Sequence, residues 1–281
     1  MTTTQHTAPQ ANGPIPETAT YVYAVCRQIA PAGLSALPGL ADGFPVRALR
    51  CGPLTAVVQH VPAAEFTQEA WEQRLSDRTE LERCARAHHE VVVAAAAGGP
   101  TAPLALATLY RSDERAREAL GADAARFTAV LDRIAGHAEW GVKVSLPAGS
   151  PRPPADPAPE APGPDAPQSG AKAAPGAGRA YLERKRGLHR AREHRHDQAL
   201  RTAEDIDAAL SRLATAARRL RTHGQELTGT AARRQILNAA YLLPHERAAD
   251  LAAEVGAWRA RTGAEIELSG PWVPYSFVGE V

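Results

Sequence analysis

Val46-Arg47-Ala48-Leu49-Arg50-Cys51-Gly52-Pro53-Leu54-Thr55-Ala56-Val57-Val58 decides the fold class of this chain. Two β-forming runs flank a Gly-Pro turn, which reads as a hairpin and makes the sheet at least partly antiparallel. Upstream, Tyr21-Val22-Tyr23-Ala24-Val25-Cys26 is equally β-rich. Downstream, Leu104 to Tyr110 reads as another strand, and Trp140-Gly141-Val142-Lys143-Val144 alternates with the period of a half-buried one. Between them, Glu65 to Ala97 spaces Leu81, Cys84, Ala85, His88, Val91 and Val92 at helical intervals. Ser112 is placed to cap a second helix to about Ile134, with Leu120, Phe127, Leu131 and Ile134 facing inward and Gly121 as its weak point. Strands and helices interleave without a regular β-α-β repeat. The expectation is α+β, with a βαββαβ ferredoxin-like antiparallel sheet carrying an added helix and strand.

Ten of the 23 prolines fall between Pro147 and Pro175 among Ala, Gly, Asp and Ser, a composition that cannot build a core. The expected organisation is therefore a disordered tail over 1–19, an N-terminal α+β domain over 20–146, a linker over 147–177 and a smaller α+β domain over 178–281. That second domain opens with a proline-free stretch from about Arg179 to Thr222, read as one long helix. Ala203, Ile206, Leu210, Leu213, Ala217 and Leu220 form a narrow apolar seam along it. Gln235 to Leu243 reads as a strand, Pro244 starts a helix to about Thr262, Gly263 ends it, and Glu265-Ile266-Glu267-Leu268 alternates as the last strand.

The 281 residues carry 32 Lys and Arg against 31 Asp and Glu, so no global field favours nucleic acid or an anionic membrane. Three cysteines without a C-x-x-C pair, Cys26, Cys51 and Cys84, exclude a disulfide framework and read as buried free thiols. The first 20 residues lack the apolar core of a secretory signal, and no run approaches the roughly 20 apolar residues of a membrane span. These features point to a cytoplasmic protein.

Candidate chemistry is sparse. In His189-Arg190-Ala191-Arg192-Glu193-His194-Arg195-His196-Asp197, His189 and His196 share a helix face, but His194 lies about 200° from His196, so no three-ligand metal site forms. The basic residues Arg184, Lys185, Arg186, Arg190, Arg192 and Arg195 invite a nucleic-acid reading. Glu183, Glu193 and Asp197 dilute them, and no aromatic residues are interleaved to stack on bases. His88 and His89 diverge by about 100° on a helix and do not act together. There is no nucleophile elbow, Walker loop or dinucleotide fingerprint. No catalytic residue, metal ligand or cofactor site is assigned.

The chain ends in Gly270-Pro271-Trp272-Val273-Pro274-Tyr275-Ser276-Phe277-Val278, a cluster of aromatics in a protein only 5% aromatic. Its prolines predict an extended, stiffened tail that either packs or binds. This segment resembles Gly-Pro-Trp-Pro-Pro-Tyr-Ser-Phe, the closing signature of the gas vesicle GvpL/GvpF family, with Val273 in place of one proline. Collinear blocks extend the resemblance: Tyr21 to Val25, Gly52 to Val58, Arg86 to Glu90, Pro103 to Leu109, Glu139 to Val144, Arg179 to Leu182 and Leu237 to Leu242. In the Pro103 to Tyr110 block the related proteins commonly carry Arg and Gly where this chain has Ala105 and Ala107.

The resemblance implies a non-enzymatic accessory or minor structural protein of gas vesicle assembly. Its implied partners are the hydrophobic major shell protein and other accessory proteins, without cofactor, nucleic acid or membrane. Trp272, Tyr275, Phe277, Ile206, Leu210 and Leu213 are the candidate partner-binding residues. A ferredoxin-like RNA-binding module and a small-molecule enzyme with an unrecognised site remain as alternative functions.

Overall fold

The computed structural model describes residues 18–28, 33–147, 177–222 and 233–279. The chain divides into two compact units, one formed by Met1–Ala138 with Trp272–Val281 and one by Glu139–Pro271. Both contain helices and a sheet, as the α+β expectation requires. The division differs from the expected one at two points. The first boundary falls before the strand residues around Trp140, and the aromatic tail belongs with the N-terminal unit. The expected tail and linker lie outside the described residues, except that Thr18 and Ala19 begin a strand, Pro147 ends one and Ala177 starts a helix.

In the first unit, β1 (Thr18–Cys26) sits between β3 (Leu54–Pro62) and the pair β4 (Thr101–Pro103) and β5 (Leu109–Tyr110), with β2 (Val46–Cys51) at the other edge. Every pairing is antiparallel. The order β2-β3-β1-β4 is that of a ferredoxin-like sheet. One crossover departs from βαββαβ: between β1 and β2 the described residues hold a 3-10 turn, Leu34–Ala36, instead of a helix. The physical reason is the fully buried Gln59 of β3. Its amide donates to the carbonyls of Pro38, Ala41 and Phe44 at 3.0, 2.9 and 2.7 Å, while its oxygen accepts from Leu40 N–H at 2.8 Å and from the Tyr23 hydroxyl at 2.6 Å. One side chain thus does for this connection what a ladder or helix does elsewhere, satisfying backbone groups that burial would otherwise strand. Gly39 lies against that amide with φ 62°, and a Cβ there would stand 2.5 Å from Gln59 Oε1.

The long helical stretch after β3 is broken into α1 (Gln68–Ser76) and α2 (Arg78–Ala96). Asp77 causes the break: its carboxylate accepts from Thr79 and Glu80 N–H at 2.8 and 3.1 Å and starts α2 afresh. The helix after β5 divides similarly into α3 (Asp113–Ala122), capped by Ser112 as expected, and α4 (Ala124–Ile134). Asp113 ties α3 to the sheet through Arg47 at 2.7 Å, Thr20 at 2.9 Å and His60 at 3.3 Å. Burial alone would raise its carboxyl, but the hydrogen bonds from Arg47, Thr20 and His60 outweigh that and hold it below the usual range.

The strand expected over 104–110 is interrupted. Leu104 N–H still bonds to the Tyr23 carbonyl at 2.9 Å, and Thr108 returns a carbonyl to Val22 N–H at 3.0 Å, but the residues between them loop out. Ala107 has φ 72° there. A left-handed conformation brings Cβ against the following carbonyl oxygen.

In the second unit β6 (His137–Pro147) starts two residues before the boundary, and the sheet order is β7-β8-β6-β9, with β7 (Ala216–Arg219), β8 (Arg233–Pro244) and β9 (Glu265–Trp272). Two helices, α5 (Ala177–Ser211) and α6 (Ala248–Thr262), pack against it. Ile206 and Leu210 of α5 meet Leu237, Tyr241 and Leu243 of β8 and Leu251 and Val255 of α6 in one core. The long helix ends at Ser211, eleven residues before the expected Thr222. Sheet pairing captures the residues beyond it: Thr215 N–H donates to Leu242 O at 2.8 Å and Leu220 N–H to Asn238 O at 2.7 Å. Ala217 and Leu220 are consequently exposed strand and post-strand residues, not members of a helical seam. Asp207 fixes the junction, accepting from the Tyr241 hydroxyl at 2.6 Å and from Arg219 Nε at 2.7 Å. Gly270, φ 133°, passes so close to β6 that a Cβ would sit 2.8 Å from the Glu139 carbonyl.

Replacing Ala107 by glycine is expected to raise the unfolding free energy by about 1 kcal/mol, because the left-handed penalty disappears. Urea unfolding of Ala107→Gly beside the parent checks this, and a lower midpoint would show that the loop bears no such strain.

Candidate functional site

Helix α2 has two chemically distinct sides. Cys84, His88, Val91, Val92 and Ala95 are buried against the sheet, while His89 and Val93, one turn apart, lie on the outer flank. His88 is held inside by the Tyr21 hydroxyl, which accepts from Ala107 N–H at 3.3 Å and shares a hydrogen bond with His88 Nδ1 at 2.8 Å. His88 Nε2 is buried without a hydrogen bond of normal geometry. Burial is the main reason its pKa falls to about 4; the nearby Leu104 carbonyl opposes that shift and does not overcome it. Burial likewise pushes the Cys26 thiol up to about 12 and raises those of Cys51 and Cys84, so all three are protonated, unreactive core thiols.

His89 meets the C-terminal tail. After Trp272 the chain passes Val273, whose side chain packs on the first unit's core, and folds into a 3-10 turn over Tyr275–Phe277. The tail is therefore only partly extended. Tyr275 N–H closes onto the Val273 carbonyl at 2.8 Å. Phe277 and Val278 point inward, 5% and 6% exposed, and Arg133 of α4 donates to the Phe277 carbonyl. With the turn anchored so, Trp272 and Tyr275 remain outside, 47% and 38% exposed. The His89 ring lies 5.9 Å from each of their rings, edge-on to Trp272, and its Nδ1 is 3.2 Å from the Tyr275 hydroxyl. Val93, 46% exposed, extends the same flank.

The structure thus splits the six expected binding residues. Trp272 and Tyr275 come together on a fixed platform, whereas Phe277 serves as their anchor. Ile206 and Leu210 are fully buried, and Leu213 is half-buried against the same core. Sequence reasoning missed His89 as a platform member. Its partner Tyr275 is 186 residues away, and no local pattern announces such a pairing. The platform presents aromatic faces, an imidazole and an isopropyl group, the chemistry of contact surfaces. Among the described residues no group of three or more His, Cys, Asp or Glu side chains is placed to hold a metal. His189 pairs instead with Glu193 at 3.5 Å along α5. No described helix is long and apolar enough to cross a membrane.

Together these features define a two-unit α+β protein in which Trp272 and Tyr275 stay exposed beside His89. The chain belongs to the GvpL/GvpF family: the family model described as gas vesicle synthesis protein GvpL/GvpF matches residues 19–279. It is 35% identical over 262 residues to gas vesicle protein L of Streptomyces sp. (strain CB03234), covering 92% of each chain. Its fold is shared with GvpF of Anabaena sp. PCC7120, at a TM-score of 0.61 and 17% identity over 94% of this chain and 97% of that one. GvpF of Microcystis aeruginosa gives 0.59 and 18%, over 93% and 99%.

Acid should destabilise the first unit through His88. Its folded pKa lies below the ordinary 6.5, so between pH 6.5 and 4 the unfolded chain binds the extra proton. Stability is full above that window and falls by roughly 3 kcal/mol across it. Unfolding midpoints at several pH values measure the slope, and the expected result is that His88→Phe flattens it. The tail gives a second test. Phe277→Ala should cost about 3 kcal/mol or more, and Trp272→Ala less than about 0.5 kcal/mol. Equal losses in urea unfolding would make Trp272 a packing residue.

Proposed function

We propose that this protein is a non-enzymatic accessory or minor structural component of gas vesicle assembly, acting in the cytoplasm and at the vesicle by binding the hydrophobic major shell protein and other accessory proteins. Membership of the GvpL/GvpF family supports the setting. The observation that carries the mechanism is the Trp272–Tyr275 platform, two large aromatics kept in solvent by a buried anchor and an imidazole brace.

The physical need is plain. Subunits with a long apolar surface associate indiscriminately unless that surface is covered before ordered addition. A protein that holds them transiently needs a few strong contacts, not a large permanent interface. Half-exposed Trp and Tyr side chains offer on the order of 100 Å² each, and such residues dominate the energetics of small interfaces. Because His89 and the Phe277 anchor already fix their positions, little side-chain entropy is lost when a partner arrives. The seam residues Ile206 and Leu210 are engaged in the second unit's own core and are not part of the proposed contact.

Co-expression with the shell protein tests the reading. The parent chain should raise the soluble fraction of shell protein and co-purify with it. Trp272→Ala/Tyr275→Ala should lower co-purification by about tenfold or more, with an unchanged unfolding midpoint. No solubilisation by the parent would overturn the assembly role; full retention by the double variant would move the contact off the platform.

A further inference from the structure

The N-terminal two thirds of α5 present a different surface. The helix runs 35 residues, and the first of its residues described as buried is Ala199. From Glu183 to Gln198 every side chain whose burial is described is exposed, apart from the half-buried His196. Residues 177–198 thus span about 33 Å of helix, and none of the described side chains among them belongs to the second unit's buried core.

Charge is concentrated there. Residues 177–198 hold seven Lys and Arg against three Asp and Glu, while the rest of the chain holds 25 against 28. The surplus belongs to this part of α5 and not to the protein as a whole. Arg186 and Arg190 stand four residues apart, a like-charge pair that weakens an isolated helix by a few tenths of a kcal/mol. Gly187 between them weakens it further. A helix whose described side chains from Glu183 to Gln198 are mostly exposed gains from an opposite charge laid along it.

We propose that the N-terminal part of α5 is a docking arm for an acidic polypeptide segment of a partner protein. The described, exposed cations Lys185, Arg186 and Arg190 form its centre. Charge complementarity selects an anion, and the interleaved acids select its kind. Glu183, Glu193 and Asp197 break the positive run. A nucleic-acid backbone carries a phosphate at every nucleotide and meets those carboxylates unavoidably. A polypeptide places its carboxylates only where Lys and Arg wait, and Arg pairs with them in bidentate fashion. Among residues 177–201 the only Phe, Tyr or Trp is Tyr181, ahead of most of the arginines, so none is interleaved with the cations from Arg184 onward for bases to stack on. Docking on this arm does not depend on the gas vesicle reading, and it uses a different unit from the aromatic platform.

The full chain is titrated against a fluorescein-labelled 15-residue oligo-glutamate peptide, with a 15-nucleotide single-stranded RNA as comparison. Binding is expected at about 50 mM salt and should weaken more than tenfold by about 300 mM, as exposed charge contacts are screened. Lys185→Glu/Arg186→Glu/Arg190→Glu should reduce peptide affinity more than tenfold. The charge-neutral triple Gln variant should fall between it and the parent, and helix content by circular dichroism confirms that both fold. In the parent, peptide binding should also increase helix content. No peptide binding at low salt, undiminished binding by the charge-reversed chain, or tighter binding of the RNA each overturns the proposal.

Discussion

Two tyrosine hydroxyls buried in the central strand govern the first unit. From Tyr21 to Cys26, β1 is between 0% and 1% exposed, so every polar atom on it needs an internal partner. Tyr23 reaches Gln59, and Gln59 in turn gathers the backbone of the β1–β2 connection. Tyr21 reaches His88 and the looped residue Ala107. Burial raises both phenols well above their ordinary values, which keeps them neutral and able to donate. Two side chains of one strand therefore fix a long connection, a helix orientation and a break in a neighbouring strand.

The orientation of α2 has a surface consequence. With His88 locked inward by Tyr21, helical geometry turns His89 about 100° away, toward solvent. There it braces Trp272 and Tyr275, while Phe277 and Arg133 hold the turn from beneath. An exposed aromatic pair held by contacts within the chain thus follows from a buried polar contact on the opposite side of the same helix. In the second unit Asp207 plays the corresponding structural role, joining α5 to β7 and β8.

Elements whose signals are local were legible. The β2–β3 hairpin follows from alternation around Gly52 and Pro53, the Ser112 cap from its hydroxyl, and the end of α6 from Gly263 in the left-handed region. Trp272 and Tyr275 were legible as candidates because exposed, proline-flanked aromatics are unusual in so aromatic-poor a chain. What failed had a non-local cause. The helix read through Thr222 stops at Ser211 because β8, separated by more than twenty residues, pairs with the segment after it. The seam therefore loses Ala217 and Leu220. The expected strand at 104–110 breaks because Tyr21, not its neighbours in sequence, binds Ala107.

The α+β class, the antiparallel hairpin, the free buried thiols, the C-terminal aromatic cluster and the family were legible in the chain, since these rest on periodicity, turn chemistry and collinear motifs. Only the tertiary structure decided which unit the tail joins, which of its aromatics face outward, that His89 completes the platform, and that Ile206 and Leu210 are core. The reason is that hydrogen-bond satisfaction inside a packed interior couples residues far apart in the chain, and local preference carries no information about which distant group will supply the missing donor or acceptor.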